Sequence, residues 1–353
     1  MPENQPPVIT SVPPMPPAPG TMPQGRPAAP RKRFSILGLI SFILLLLSLA
    51  GNAILFILVI LLGIASDGGG SAHVQAERLV HGGGDKIAIL PIQGVIDTAQ
   101  VERVNQYCEY IKEDRSIKAV IVEVDSPGGG VTSSDEIFHL LKKLRATDRK
   151  LVVCMRGLAA SGGYYVSMPA EKIYAEPTTL TGSIGVIMST FEATEMMKKI
   201  GLKPETVKSD AAEEYKDAGS PFRPFTDADR AYFKNLINQA HVKFSKIVED
   251  GRSGKLTEPI ANIAVGKIWT ADDALKLGLV DEIAYEDEVW EKTASELYLK
   301  NPTIVRLKKR DGLFEVLGAH APMGGGKVEI SVDPKSLRPA ESMEMEYRYN
   351  GIR

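Results

Sequence analysis

The stretch AVIVEVDSPGGG, residues 119–130, decides the fold class of this chain. It begins as a short apolar run typical of a buried strand and ends in polar and glycine residues that stop the strand. The run KIAILPIQGVI, residues 86–96, has the same apolar character. Between the two runs, apolar residues recur at helical spacing, at Val101, Val104, Cys108 and Ile111. This order predicts a βαβ unit.

A second helix and strand extend this unit. The helix is indicated by apolar residues at helical spacing, Ile137, Phe138, Leu141 and Leu144. The strand LVVCM, residues 151–155, follows it. Parallel strands joined through helices take right-handed crossovers, so the pattern predicts an α/β domain built on a parallel sheet.

The N-terminal part of the chain has a different character. Residues 1–33 are rich in Pro and poor in large apolar side chains, which predicts a disordered arm. No charged residue occurs from Phe34 to Ser66, and the run FILLLLSLAGNAILFILVILLGIA is too long for an ordinary core helix. Residues 34–66 are therefore predicted to be a transmembrane anchor.

A cleaved signal peptide is the alternative for this segment, and Gly63 and Ala65 are small enough to suit a cleavage site. The apolar part of such a peptide spans only ~7–15 residues, so a retained anchor is favoured. The basic residues Arg31, Lys32 and Arg33 directly precede the apolar run, and a basic flank stays on the cytoplasmic side. We therefore predict a single-pass protein of the cell membrane with a cytoplasmic N-terminus and a catalytic domain on the outer face.

The rest of the chain divides into three predicted parts. A Gly-rich linker, residues 67–84, leads to the folded domain, residues 85–300, and residues 301–353 form a C-terminal tail. Within the domain, KPETVKS, residues 203–209, is predicted to be a strand.

Capping residues mark the starts of two helices in the second half of the domain. Thr226, with Asp229 three residues later, matches a variant of the capping box. Thr270 marks the second start, and Gly278 is the expected end of that helix.

The composition excludes several function classes. The chain has 42 Lys and Arg residues against 44 Asp and Glu, so no strong attraction to nucleic acid is expected. Its two cysteines, Cys108 and Cys154, match neither a metal-binding pair nor a disulfide framework and are expected to be buried thiols. No HExxH motif or Walker loop occurs, so we expect no metal and no cofactor.

Ser161 is the first candidate catalytic residue. It lies in GLAASGGYY, residues 157–165, directly after an apolar strand and before two glycines. At a tight strand-to-helix turn such a serine is presented as a nucleophile, with a free N–H group beside it that can bind an oxyanion. From spacing alone, a packing site for small residues explains the pattern equally well.

Two further segments carry candidate chemistry. The glycines of DSPGGG, residues 125–130, let main-chain N–H groups approach an oxyanion or a phosphate, although a plain turn is an equal alternative. Lys216 lies in the polar segment 213–224, where a lysine is ordinarily a solvated charge. To act as a base it must lose its proton, which requires burial on substrate binding or on assembly. None of the five histidines is an obvious alternative, and Ser/Lys is a recognised variant of the nucleophile and base pair.

Five motifs occur in a fixed order along the chain, VEVDSPGGGV, RGLAASGGYYVSMPA, TGSIGVI, YKDAGSPFR and WTADDALKLGLVDEI. The set resembles the signal peptide peptidase family with a Ser/Lys dyad, in its short, single-copy bacterial form. The resemblance covers residues 85–300. It implies a Clp protease/crotonase-like fold of repeated ββα units.

The resemblance assigns roles to individual residues. It makes Ser161 the nucleophile and Lys216 the general base. It implies that Ser183 orients the lysine. The implied oxyanion-hole donors are the N–H groups of Gly128, with Gly129 as its alternative, and Gly162.

The implied activity is that of a membrane-anchored serine endopeptidase that degrades cleaved signal peptides by acyl transfer. Its partners are then peptide substrates, the membrane and further copies of the same chain. Long-form relatives carry two copies of the folded unit and build the dyad across them, whereas this chain carries one. The resemblance therefore implies a homo-oligomeric ring in which Ser161 of one protomer meets Lys216 of the next.

Three alternatives remain open at this point. The chain could be a broader quality-control protease for membrane proteins, an acyl-CoA-binding protein of the crotonase type or a non-catalytic membrane scaffold. The predicted outward placement weighs against CoA binding, because CoA is scarce there. The intact motifs around Ser161 and Lys216 weigh against the last two alternatives.

Overall fold

A computed structural model describes residues 36–66, 74–309 and 346–348, and the structural statements that follow concern these residues. The chain divides into two units, Met1–Ile60 and Leu61–Arg353. Three predicted segments lie wholly or partly outside the described residues, the arm 1–33, the linker at 67–73 and the tail at 310–345 and 349–353.

The first helix, α1, spans Ile36–Ser66. Its stretch Leu39–Leu58 has the length and apolar composition needed to cross a membrane. The large Leu, Ile and Phe side chains of this stretch are exposed. The side chain of Asn52 donates a hydrogen bond to the carbonyl of Ser48 at 2.7 Å, so this polar group is satisfied within the helix.

The strands of the second unit are β1 (Val74–Val80), β2 (Lys86–Gln93), β3 (Ile117–Ser126), β4 (Gly128–Gly130), β5 (Lys150–Ala160), β6 (Lys172–Ala175), β7 (Leu180–Gly182), β8 (Ile268–Thr270), β9 (Glu282–Ile283), β10 (Thr303–Lys309) and β11 (Glu346–Arg348). Within the described chain, one sheet has the order β1-β10-β2-β3-β5-β6-β9, and β7 joins it by pairing with β5 and β8. The neighbours from β10 to β9 run parallel. β4 and β11 form a separate antiparallel pair.

The helices of this unit are α2 (Thr98–Glu113), α3 (Val131–Arg145), α4 (Gly162–Tyr165), α5 (Thr194–Lys199), α6 (Asp227–Gly251), α7 (Ile260–Ile263), α8 (Ala271–Lys276) and α9 (Glu286–Glu296), with a 3₁₀ turn at Asp210–Ala212. They cover both faces of the sheet, as parallel strands require. On one face, α2 and α3 pack against strand residues such as Leu90 and Val122. On the other, Val289 of α9 packs with Ile89 and Ile121. The predicted α/β class is confirmed.

Several local predictions are also confirmed. Thr226 and Asp229 form a reciprocal capping box at the start of α6. Thr270 caps α8, and Gly278 follows that helix at φ 73°, where a Cβ atom would lie 1.9 Å from the carbonyl oxygen of Lys255. Cys108 and Cys154 are buried free thiols, the expected state. Burial raises the pKa of Cys108 to about 12.

The structure differs from the sequence analysis at three segments. The predicted strand at residues 203–209 is wrong: this stretch is irregular and largely exposed, with Val207 97% exposed, so its residues have no apolar face to bury. β1 lies within the predicted linker, and β10 lies beyond residue 300, where the sequence analysis ended the domain. β10 pairs with both β1 and β2, so these two segments complete the sheet.

Candidate active site

Ser161 lies at the turn between β5 and α4, in a backbone conformation that residues with a side chain rarely adopt, at φ 55° and ψ −114°. Strained backbone of this kind clusters at active sites, where the surrounding structure holds it in place. Here the N–H of Ser161 donates to the carbonyl of Gly182 at 2.8 Å, and its own carbonyl accepts from the N–H of Tyr165 at 2.9 Å. The serine is thus fixed at a sharp strand-to-helix turn that suits a nucleophile.

The short helix α4 gives this turn a rigid base. The hydroxyl of Tyr164 donates to the carbonyl of Leu279 at 2.8 Å, and that of Tyr165 donates to Oδ1 of Asp135 at 2.6 Å. A Cβ atom on Gly163 would lie 2.8 Å from the carbonyl oxygen of Ser126, so glycine is required for α4 to approach β3. These contacts hold α4, and with it the turn at Ser161, in a fixed position.

Gly162 opens α4, so its N–H has no acceptor within the helix. No other acceptor for this N–H is found in the described part of the chain. It lies one residue after Ser161. This N–H group is therefore available to a ligand that reaches Ser161.

The glycine strand β4 packs against α4, and one of its two backbone edges bonds to Ile96. The N–H of Gly128 donates to the hydroxyl of Ser126 at 3.1 Å. The carbonyl of Gly128 and the N–H of Gly130 both bond to Ile96, at 2.9 Å each. Because backbone groups alternate in direction along a strand, the N–H and C=O of Gly129 point away from Ile96.

The opposite edge of β4 is paired with an antiparallel strand, β11, from the C-terminal part of the chain. In this pair Glu346 lies opposite Gly130, Tyr347 opposite Gly129 and Arg348 opposite Gly128. This contact was not predicted from the sequence, although tyrosines at 347 and 349 favour a strand. The pairing indicates that β4 accepts an extended backbone beside α4.

Ser183 follows β7 and is the neighbour of Ser161 across the sheet, since Ala160 pairs with Gly182. Its backbone also has a positive φ, 50°, and its N–H donates to the carbonyl of Lys267 at 2.7 Å. Gly182 itself has φ 84°, and a Cβ atom there would lie 2.5 Å from the ring of Trp269. Both candidate serines therefore occupy strained positions that adjoining strands hold in place.

A cavity of about 570 Å³ opens beside Ser183. Its lining includes Val186, Ile187, Ile237 and His241. The sequence indicates no role for His241, because nothing in its helical spacing distinguishes it. Nε2 of His241 lies 2.9 Å from the carbonyl oxygen of Ala264, so this nitrogen donates its proton there. A largely apolar cavity thus adjoins one of the predicted site residues.

Lys216 is not joined to this group within the single chain. It is exposed, in the turn that follows the 3₁₀ segment, and no hydrogen bond connects it to Ser161 or Ser183 in the described residues. The structure thus brings together Ser161, Ser183, Gly162 and the β4 glycines, and leaves Lys216 on the surface. The described part of the chain contains no cluster of three or more His, Cys, Asp or Glu residues arranged to bind a metal ion.

Comparison with known proteins adds independent information. A model of peptidase family S49 matches residues 143–300, and a Clp protease model matches residues 85–181, which confirms the predicted Clp-like fold class. A solved structure of a ClpP1 variant from Listeria monocytogenes has a TM-score of 0.38 and 16% identity, and the match covers 56% of this chain and 92% of that one.

Curated relatives resemble the same region. A protein named putative signal peptide peptidase SppA, from Enterococcus faecium, is 33% identical over 68% of this chain and 72% of its own length. A putative protease from Methanocaldococcus jannaschii is 39% identical over 58% of this chain, and the match spans 65% of that protein. Protease 4 of Haemophilus influenzae is 31% identical over 63% of this chain and 36% of its own length. The chain belongs to peptidase family S49, the signal peptide peptidase family.

Proposed function

We propose that this chain is a membrane-anchored serine endopeptidase that cleaves peptides by acyl transfer, with Ser161 as nucleophile and Lys216 as general base. The observation that carries the proposal is the strained turn of Ser161, which lies beside the free N–H of Gly162 and the glycine strand β4. A nucleophile flanked by preorganised backbone donors is the arrangement that acyl transfer requires.

The substrate adds as an antiparallel strand to the edge of β4 that faces away from Ile96, in place of residues 346–348. The pairing of residues 346–348 with this edge supports that mode of binding. Strand addition recognises the backbone, so it tolerates many sequences, and alternate side chains enter pockets on either side. The cavity beside Ser183 is a candidate for one such pocket, and its apolar lining suits a hydrophobic peptide.

The reaction follows the usual steps of acyl transfer. Neutral Lys216 takes the proton of the Ser161 hydroxyl as Oγ bonds to the substrate carbonyl carbon, and the carbonyl oxygen becomes an oxyanion. Collapse of this intermediate breaks the C–N bond, and the protonated lysine donates its proton to the leaving amine. Water then attacks the acyl carbon as Lys216 accepts its proton, the bond between Oγ of Ser161 and the acyl carbon breaks to release the acid product, and Lys216 returns the proton to Oγ.

The oxyanion is held by the N–H groups of Gly162 and Gly129. We assign Gly129 instead of Gly128 because the N–H of Gly128 is already donated to the Ser126 hydroxyl. Each donor of this kind contributes ~2.7–4 kcal/mol to the stability of the transition state in comparable enzymes. Ser183, held next to Ser161 by the β5–β7 pairing, orients Lys216.

The base comes from a neighbouring protomer of a ring. The exposed position of Lys216 in a single chain supports this arrangement, because a dyad closed within one chain requires the lysine beside Ser161. Contact with a second copy also buries the lysine, and burial favours the neutral amine that the reaction needs.

The substrates are cleaved signal peptides that remain in the membrane. The apolar helix α1 supports an anchor that keeps the enzyme at that surface, and the basic residues 31–33 favour an outward catalytic domain. A reporter that is active only in the exported compartment, fused after residue 309, tests the orientation. A stable fusion with an inactive reporter contradicts it.

A serine-reactive fluorophosphonate tests the assignment of the nucleophile. The probe should label the full-length protein at Ser161, as mapped by peptide mass spectrometry, and Ser161→Ala should lose both the label and peptide hydrolysis. Labelling at Ser161 excludes the scaffold and the acyl-CoA-binding alternatives. Normal peptide hydrolysis by Ser161→Ala contradicts the assignment of Ser161 as the nucleophile.

A further inference from the structure

An ion-pair relay ties the loop that carries Lys216 to the start of α6. The guanidinium of Arg223 forms two hydrogen bonds with Asp229, Nη1 to Oδ2 at 2.6 Å and Nη2 to Oδ1 at 2.7 Å. Its Nε lies 3.2 Å from Oδ2 of Asp217, the residue directly after Lys216. Arg223 therefore bridges the lysine loop, residues 213–219, and the helix.

Asp229 is a rigid anchor for this bridge. It is only 3% exposed, and its Oδ2 also accepts hydrogen bonds from the N–H and the hydroxyl of Thr226 in the capping box. The hydrogen bonds from Arg223 hold the pKa of Asp229 well below its usual range, so the carboxylate stays charged. A two-pronged guanidinium–carboxylate pair fixes direction as well as distance. The position of Asp217 is thus set by the first turn of α6.

Both oxygens of Asp217 are paired with cations. Arg223 lies against Oδ2, and Nζ of Lys208 lies 3.1 Å from Oδ1. A carboxylate beside an amine stabilises the protonated form of the amine, which cannot act as a base. Cations on Asp217 offset that effect. The relay therefore offsets a negative charge one residue after Lys216 in the chain, and it also sets the position of the loop that carries the lysine.

Other contacts hold the same loop against two elements. The ring of Tyr215 packs on Tyr232 of α6, with centroids 5.1 Å apart. The carbonyl of Gly219 accepts from the hydroxyl of Thr190 at 3.3 Å. The charged or titratable groups on the loop and on the segments that pack against it include Glu192, Lys208, Asp210, Glu213, Glu214, Tyr215, Asp217, Arg223, Asp227, Asp229, Arg230 and Tyr232.

We propose that Arg223 is a positioning residue for Lys216: it holds the lysine loop on the N-terminus of α6, and together with Lys208 it neutralises Asp217. The proposal rests on the proposed function, because it concerns the base of that reaction. It assigns two separable tasks to one side chain, the geometry of the loop and the charge beside the base.

Three substitutions in the full-length protein separate these tasks. Arg223→Gln removes both, so kcat should fall about 10-fold or more, and the midpoint of the pH profile of kcat should rise by about one pH unit or less. Arg223→Lys keeps a positive charge but loses the two-pronged pair, so kcat should fall while the midpoint stays near the wild-type value. Asp217→Asn removes the negative charge and should move the midpoint downward.

Opposite shifts for Arg223→Gln and Asp217→Asn support the proposal, because a merely structural defect lowers activity without moving the two midpoints apart. Lys246→Gln is the matched control, since Lys246 forms an exposed ion pair with Asp250 on the same helix, away from the loop. It should leave kcat and the profile unchanged.

Two outcomes overturn the proposal. One is a wild-type kcat and midpoint in Arg223→Gln. The other, which still applies if Arg223→Gln fails to fold, is a wild-type midpoint in Asp217→Asn. Both are judged only against a wild-type enzyme that Ser161→Ala inactivates. An active Ser161→Ala protein rejects the proposed function instead, so the two failures are distinguishable.

Discussion

The backbone N–H of Ser161 donates a hydrogen bond to the carbonyl of Gly182 at 2.8 Å. This bond continues the β5–β7 pairing by one residue, so Ser161 and Ser183 leave neighbouring strands side by side. Both have a positive φ, and among the described residues only two other non-glycine residues, Tyr298 and Asn301, share that property. Two strained serines on adjacent strands are costly for folding, which favours a functional origin.

Ser183→Ala tests this relationship directly. The substitution removes the hydroxyl and leaves the backbone as it is, because alanine meets the same constraint as serine at φ 50°. If the hydroxyl orients the base, kcat should fall about 10- to 100-fold, while KM and the thermal midpoint change little. Ser253→Ala, at an exposed position after α6, is the control for loss of a hydroxyl. An unchanged kcat in Ser183→Ala contradicts the role of the Ser183 hydroxyl in orienting the base.

Gly129→Ala should inactivate the enzyme through the glycine strand. A Cβ atom at this position would lie 2.0 Å from the carbonyl oxygen of Ile96, so β4 must shift and carry the proposed oxyanion donor with it. We expect kcat/KM for a peptide to fall by about 10² or more. Gly84→Ala is the control, because a Cβ atom there meets nothing within 4 Å. An active Gly129→Ala enzyme contradicts the assignment of this donor.

A buried ion pair beneath the site predicts how stability depends on pH. Arg252 is 1% exposed and bonds to both oxygens of Asp281, at 2.8 and 3.0 Å. Burial alone raises the pKa of Asp281, but hydrogen bonds from Arg252, from Lys255 and from the N–H of Ile173 outweigh it, so the pKa lies below its usual value.

A carboxyl with a lowered pKa stabilises the fold fully above its unfolded pKa of about 3.9, and this stabilisation is lost as the pH falls through the folded pKa. Asp281→Asn should therefore lower the free energy of unfolding at neutral pH by about 3–5 kcal/mol and flatten its dependence on pH in the acid range. Denaturant unfolding at several pH values measures both effects. Asp250→Asn, which breaks the exposed ion pair with Lys246, is the control. It should change neither the free energy of unfolding nor its dependence on pH. If the free energy of unfolding of Asp281→Asn falls in acid as steeply as that of the wild type, the pair of Arg252 and Asp281 is not the source of the pH dependence.

Much of the fold follows from local sequence signals. The βαβ pattern, the capping box at Thr226 and Asp229, and the turn at Gly278 depend on residues close together in the chain, and the structure has each of them. Local signals do not show which strands lie next to each other in the sheet. β10 lies between β1 and β2, more than 200 residues from either in sequence, and no local pattern indicates that neighbour.

The same limit applies to the site. The motif around Ser161 predicts a strand-to-helix turn with a free N–H group, because two glycines follow the serine directly. Which β4 glycine turns its N–H toward the edge proposed to bind substrate depends on the hydroxyl of Ser126 and on Ile96, contacts that glycine spacing alone does not reveal. The ion pairs that join Asp217 through Arg223 to Asp229 were likewise not predictable from the sequence, because charged residues in a polar loop are usually solvated.

The strand at residues 346–348 predicts competition with substrate. It occupies the edge of β4 to which we propose the peptide adds. A chain that ends at residue 345 should therefore show a lower KM for a peptide substrate and an unchanged kcat. A chain that ends at residue 348 keeps the strand and is the matched control. Equal KM values for the two truncated proteins contradict the competition.

The shared site makes the last prediction. Lys216 is exposed in the single chain and has no hydrogen bond to Ser161, so the proposed dyad needs a second protomer. A head-to-tail contact that repeats around a closed ring supplies each serine with the lysine of its neighbour. Ser161→Ala and Lys216→Ala proteins should each be inactive alone.

Co-expression of the two variants in equal amounts separates the models. With random mixing, about a quarter of the junctions between protomers receive an intact serine from one side and an intact lysine from the other, so about a quarter of wild-type activity should return. If the dyad forms within one chain, every site lacks a residue and activity stays at background. Two different affinity tags, purified in sequence, show that the assemblies contain both variants. Background activity in such mixed assemblies rejects the shared site, and it leaves Ser161 and Lys216 as the dyad of a single protomer.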